Sequence, residues 1–394
     1  MGGAISTKGA DVMTVSEDGE IGLTEQFTAY FKDQVPAPFN LDAPMVTRAH
    51  EALIKDNWAN IVKGTSAFNE AKHVTPTKFM YNSFYQALFV TSQPLRALFR
   101  SGMTAQGKSL AGTLNTLVTI INGGDFVDTV QAIAERHLTY GVTKDHYTDF
   151  GVILLSSLEA VSGDKWSDDV KDAYLNAYSL CYYMMMPIIA GDAPVEIPES
   201  IPATIVKSVP ISKTGKKITL KYNFPLRYYP GDAIWLGLPL PKGEVRRHFC
   251  ITGFPVDGVF ELDVVIEDVS ESSHWFCSQS PGATVNLFWI ESDLRFETDA
   301  PAALPQHVVF VSNGFACIPF ITMAEGLSRI KDKWKGTVVS LQIAPTADYV
   351  DAFNIAVPTA GKKIEWDAYK AFHATEVTAA KLKQIAPNIA NATL

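Results

Sequence analysis

About a third of the way along the chain, Ala134–Tyr147 reads AERHLTYGVTKDHY and sets one histidine, His137, at the end of a periodic run. Phe126, Val130, Ile133 and Ala134 recur at helical spacing, so His137 stands in the last turn of a predicted helix. Gly141 breaks the run, and a second one begins near Lys144. An imidazole so placed can offer one ring nitrogen to a metal, a haem iron included, while the other takes a hydrogen-bond partner. It can equally cap the helix or pack against a neighbour, and this stretch alone leaves both readings open.

A second chemical signal lies at the start. MGGAIST carries glycine at position two and serine at position six, the pattern of N-myristoylation at Gly2. One acyl chain gives only weak membrane association, and no nearby cysteine or polybasic cluster adds to it. The four cysteines (Cys181, Cys250, Cys277 and Cys317) lie far apart without CxxC spacing, and read as reduced thiols of a cytoplasmic protein.

The elements that must position these groups fall into blocks. A chain of 394 residues predicts two or three domains, and 47% hydrophobic with 19% charged residues fits globular folding. A net charge of −9 argues against a nucleic-acid partner, which would call for clustered Lys and Arg. The richest apolar run, Tyr178–Ala190, holds Pro187 and is too short to cross a bilayer. Residues 1–44 read as a poorly ordered arm with a short helix at Leu23–Phe31. Residues 45–192 predict six to eight helices, broken at Gly64, Pro76, Pro94, Gly102, Gly123, Gly141 and Gly163. Residues 193–303 hold six short β-rich runs separated by Gly, Pro and Asp, the pattern of a small antiparallel barrel. Residues 304–394 open with a strand, a glycine turn, a helix and a second strand.

Within the helical block, SFYQALF contains Tyr85, QPLRALF contains Phe99, and AQGKSLAGTL contains Gln106 and Leu110. With His137, and Tyr147 ten positions after it, this ordered set resembles the globin domain of flavohaemoglobins. The resemblance implies haem b, with His137 as proximal iron ligand and Tyr147 holding its imidazole. Tyr85 and Gln106 would donate to a polar gas such as O2 or NO, and Phe99 and Leu110 would pack on the porphyrin. Two departures stand out. The connection from Phe99 to Gln106 is short for the family. The family's glutamate on the last helix falls at or near Ile189, and Cys181–Ala190 contains no acid. Oxygen binding survives that loss; electron push toward the iron does not.

The later blocks resemble the ferredoxin-reductase module that follows the globin in the same family. The implied fold is an all-α globin domain, an FAD-domain-like barrel and a truncated α/β nicotinamide-domain-like segment. YYPGDAIWLGL matches the family's R-P-G-Q-Y strand. Arg247-His248-Phe249-Cys250 stands where R-x-Y-[ST] binds FAD: Arg247 keeps the phosphate partner, Phe249 loses a hydroxyl, and Cys250 is a poor hydrogen-bond partner. Gly314-Phe315-Ala316-Cys317-Ile318-Pro319 replaces G-x-G-x-T-P, with side chains at Ala316 and Ile318 where close backbone approach to a pyrophosphate is needed. NAD(P)H binding is therefore not expected, and FAD only weakly. The expectation is a haem-binding, O2/NO-binding globin without self-sufficient reductase activity. Left open are a pseudoenzyme acting as a structural or interaction subunit in a eukaryotic membrane, ciliary or cytoskeletal assembly, and an active NO dioxygenase.

Overall fold

The computed structural model describes residues 9–120, 125–191, 197–291 and 294–387. Gly2 lies outside them. The backbone packs as two compact units, one of residues 1–98 with 106–198, the other of 99–105 with 199–394.

The first unit is helical. It opens with α1 (Gly9–Val12), β1 (Met13–Val15), β2 (Ile21–Leu23), α2 (Glu25–Phe31) and β3 (Met45–Val46), the strands forming an antiparallel sheet in the order β1-β2-β3. This segment, expected to be poorly ordered, is instead part of the core. Val12, Ile21, Phe27, Phe31, Val35 and Phe39 are buried with Phe126, Val130, Leu180 and Tyr183 of later helices. Each large side chain so buried contributes roughly 1.5–3 kcal/mol, which composition alone does not reveal.

Six longer helices follow: α3 (Arg48–Lys63), α4 (Pro76–Thr91), α5 (Met103–Ile120), α6 (Phe126–Leu138), α7 (Lys144–Ser162) and α8 (Asp168–Ile189). Their ends fall where the chain offers capping chemistry. Thr47, Thr75 and Ser167 each accept an N–H from the first turn of the helix they precede. Pro76 sits in the first turn of α4, and Gly64, at φ +101°, closes α3.

In the second unit, β4 (Ile201–Pro210), β5 (Gly215–Lys221), β6 (Ala233–Leu240), β7 (Gly243–Thr252), β8 (Glu261–Glu267) and β9 (Thr284–Ile290) close into a barrel ordered β4-β5-β8-β7-β6-β9. All its pairings are antiparallel. Alternation fills it: Ile234, Leu236 and Leu238 of β6 point in, as do Leu262, Val264 and Ile266 of β8. A helix, α9 (Glu271–Ser278), precedes β9 and adds Phe276 to that core. Then come β10 (His307–Asn313), α10 (Ile318–Arg329), β11 (Thr337–Ile343), α11 (Ala347–Ala356), β12 (Tyr369–Ala374) and α12 (Ala379–Ile385). The last three strands form a parallel sheet in the order β10-β11-β12.

Candidate functional site

His137 occupies the last turn of α6, half-buried, as its periodicity predicts. Gly141, at φ +85°, turns the chain so that α7 starts at Lys144. That turn returns Tyr147, 8% exposed, to the histidine: Tyr147 Oη lies 3.1 Å from His137 Nδ1. Among the described residues, Nε2 of His137 forms no hydrogen bond. Burial first, and then the charge of Arg136, hold the His137 pKa below its ordinary value. Burial pushes the Tyr147 phenol well up. The pair is therefore a neutral imidazole beside a neutral phenol. When Nε2 serves as a donor atom the proton sits on Nδ1 and is given to Tyr147 Oη. Ile189 is buried and apolar, so no carboxylate joins the pair from the end of α8. A held Nδ1 and an unbonded Nε2 on a neutral, half-buried ring fit an iron ligand.

Tyr85 is 7% exposed on α4, and its hydroxyl donates to the backbone carbonyl of Gln106 at 3.3 Å. Desolvation raises its pKa well above the usual tyrosine value, so the proton stays in place. Leu110 is buried one turn after Gln106, whose side chain is half-buried. One residue that the motif reading passes over sets this contact. A Cβ on Gly107 would overlap the ring of Tyr81, a fully buried residue one turn before Tyr85. The only hint in the sequence is a glycine inside a long helix. α4 also packs on α7, through Phe84 and Phe150 with ring centroids 4.9 Å apart. Phe99 belongs with the second unit, in the segment Phe99–Ala105.

The second unit assembles the predicted flavin residues around a cavity of about 210 Å³, lined by Arg247, Phe249, Cys250, Glu267, Ser270 and Ser273 among others. Arg247 is exposed, and its guanidinium donates to the carbonyl of Arg246 at 2.9 Å. Phe249 is 9% exposed and meets Phe276 edge-on at 5.3 Å, so little of its ring is left to stack on a ligand. Burial pushes the Cys250 thiol up to about 12, and Cys250 Sγ donates to the carbonyl of Ile251. At the start of α9, Ser273 Oγ accepts the N–H groups of Val269 and Ser270, two donors that a phosphate would otherwise use. The cleft keeps Arg247 as a phosphate partner, while Phe249 and Cys250 bring no hydroxyl to a flavin ring.

The turn after β10 is a single 3-10 turn, Gly314–Cys317, with Gly314 at φ +53°. Cys317 and Ile318 point into the core rather than leaving open backbone. Phe315 meets Phe353 at 4.7 Å and Tyr349 at 6.2 Å, and its ring lies flush against Gly215, where a Cβ would overlap it. These aromatics cluster near the carboxyl ends of β10 and β11, the edge at which open α/β sheets bind nucleotides. Sequence reading missed them, since nothing in Tyr349 or Phe353 marks them apart from ordinary core.

Comparison with known proteins gives a matching context. Residues 82–185 match the family model Globin. The chain is 27% identical to a flavohemoprotein of Rhodopirellula baltica over 304 residues, 70% of this chain and 71% of that one. It is 23% identical to Flavohemoprotein A of Dictyostelium discoideum, covering 68% of this chain and 71% of that one. It is also 23% identical to a flavohemoprotein of Halalkalibacterium halodurans, covering 62% of this chain and 64% of that one. The chain thus spans about two thirds of the length of the curated relatives it matches. Among solved structures, a flavohemoglobin from Malassezia yamatoensis with bound FAD and heme aligns over 84% of this chain and 85% of its own, at 14% identity and a TM-score of 0.35.

Proposed function

The chain is a flavohaemoglobin-like globin joined to an FAD/NAD-reductase-like module, and on that premise we propose that it binds haem and O2 or NO without delivering electrons from NAD(P)H by itself. The observation that carries the reading is the His137–Tyr147 pair, a neutral ligand nitrogen with its partner nitrogen already held. Haem b, when bound, supplies an open coordination position for a diatomic gas. His137 Nε2, unbonded among the described residues, would hold the iron. Tyr147 fixes the imidazole's rotation and tautomer by accepting from Nδ1. Tyr85 brings a protonated hydroxyl that can turn from the Gln106 carbonyl to a polar ligand, and the Gln106 amide is a second donor. Leu110, buried one turn after Gln106, would be an apolar contact of the porphyrin.

On the other half, Phe315, Phe353 and Tyr349 cluster at the nucleotide edge, and Phe249 and Cys250 offer no hydroxyl to a flavin in the cleft beside Arg247. Electron transfer from NAD(P)H would need both places open in series. That supports a protein lacking its own electron donor over a complete NO dioxygenase. The remaining alternative, a haem-free structural or interaction subunit, makes the opposite prediction in one spectrum. Full-length protein reconstituted with haem b should show a Soret band that His137→Ala shifts or abolishes. No band in the wild type, or an unchanged one in the variant, rejects the assignment. Anaerobic NADPH added to the haem-loaded, FAD-supplemented protein should leave the iron ferric. Reduction faster than about 1 s⁻¹, the low end of ordinary turnover, would show a working reductase.

A further inference from the structure

The second unit has another cavity, about 270 Å³, at the opposite end of the parallel strands from the Gly314 turn. Its wall is the turn Lys331–Gly336, just before β11, together with Trp366 and Ala368, just before β12. The turn is tightly built. Trp334 is 1% exposed, with its indole N–H donating to the carbonyl of Pro305 at 3.2 Å. A Cβ on Gly336 would overlap both that ring and the carbonyl of Gln306. Trp366 crosses Trp334 at 5.7 Å and 55° and is half-buried, leaving part of its indole face to the cavity. Its indole N–H bonds no described residue. Lys331 and Lys335 flank the opening, both exposed, and neither pairs with a carboxylate of a described residue.

We propose that this cavity is a binding site for a small, flat aromatic carboxylate. The open part of the Trp366 indole, backed by the buried Trp334, offers an aromatic surface on which a ring can stack. Two ammonium groups and one unbonded indole N–H supply donors to the two oxygens of a carboxylate. A cation over Trp366 would face Lys331 and Lys335, with only Asp332 in the lining to offset them. The volume lies just under the range for drug-sized ligands, which excludes a dinucleotide and suits a single or fused ring. None of the residues lining this site is among those proposed to hold haem, so the proposal stands whether or not haem binds.

The test uses three ligands of one shape on the full chain by isothermal titration: indole-3-acetate, its neutral amide and the cation tryptamine. Indole-3-acetate should bind with Kd on the order of 1 mM or tighter, as suits so few atoms, with the amide weaker and tryptamine weaker still. Lys331→Ala and Lys335→Ala should each weaken the acetate about tenfold, the scale of one charge-assisted contact, and leave the amide alone. Trp366→Leu should weaken acetate and amide alike. No heat with indole-3-acetate at 10-fold above that Kd, equal affinity for all three ligands, or lysine variants that bind like the wild type would each overturn the proposal. The lysines are exposed, so their variants leave folding intact and the readout stays clean.

Discussion

Tyr147 meets the proposed ligand histidine through a single hydrogen bond, and that bond is between neutral partners. A carboxylate in its place would accept the Nδ1 proton strongly and give the imidazole anionic character; a phenol kept protonated by burial cannot. As the proposed iron ligand, His137 would therefore be weakly basic, suited to holding a gas more than to splitting a peroxide bond. Tyr147→Phe should raise the rate of haem loss to an excess acceptor by about 10–100-fold, the scale for removing a partner of a metal-bound histidine. A rate within twofold of wild type would show that Nδ1 finds another acceptor. On the distal side, Tyr85→Phe removes a donor worth about 1–3 kcal/mol to a polar ligand, so the O2 dissociation rate should rise by roughly 5–150-fold in stopped-flow measurements. The meeting of Tyr147 with His137 was expected from the family resemblance, and the structure brings the two side chains together. The Tyr85 bond to a backbone carbonyl was not legible, because acceptors on the main chain carry no sequence signature.

At the level of elements, α5 can lie close to α4 because Gly107 has no side chain at the point of contact. The ring beneath it, Tyr81, is 2% exposed and cannot swing away. Gly107→Ala would ordinarily favour a helix by up to about 1 kcal/mol. Here the added methyl must push α5 off the Tyr81 ring, and overpacking of that kind costs about 1–3 kcal/mol. The net expectation is a fall in Tm, with the shift in Gln106 read as a changed O2 dissociation rate; a raised Tm would mean the helices part freely. Periodicity and turn residues gave the helical block and the six barrel strands, with several strand ends two or three residues out. They gave no warning that residues 9–46 fold into the helical core, since that segment's apolar residues follow no single period. Phe315, Phe353 and Tyr349 were invisible for a related reason: their meeting depends on register between distant elements.

On the scale of the whole second unit, a piece of chain from between two helices is built into the barrel. Ile290 N–H donates to the carbonyl of Arg100 at 2.8 Å, and Gly102 N–H to that of Arg227 at 2.9 Å. The guanidinium of Arg100, a residue 2% exposed, donates to the carbonyls of Phe288 and Glu199 at 2.9 and 3.0 Å. Beside this segment stands Asp232, 1% exposed, whose carboxylate accepts the N–H of Tyr229 at 2.8 Å. Burial raises its pKa to about 6, against the smaller opposing effects of that N–H and of Arg295 at 3.8 Å. An acid whose folded pKa lies above its unfolded value holds its proton longer in the native state. The folded unit therefore binds more protons between pH 4 and 6, and its stability falls as pH rises through that window. A shift from 3.8 to about 6 corresponds to a loss of about 3 kcal/mol, complete by pH 7. Asp232→Asn keeps an oxygen to accept from Tyr229 and removes the titration. Urea unfolding of the full chain at pH 4.5 and 7 should show the barrel transition moving less with pH in this variant than in the wild type. If the two move in parallel, the carboxylate is already ionised at pH 4.5 and Arg295 outweighs burial.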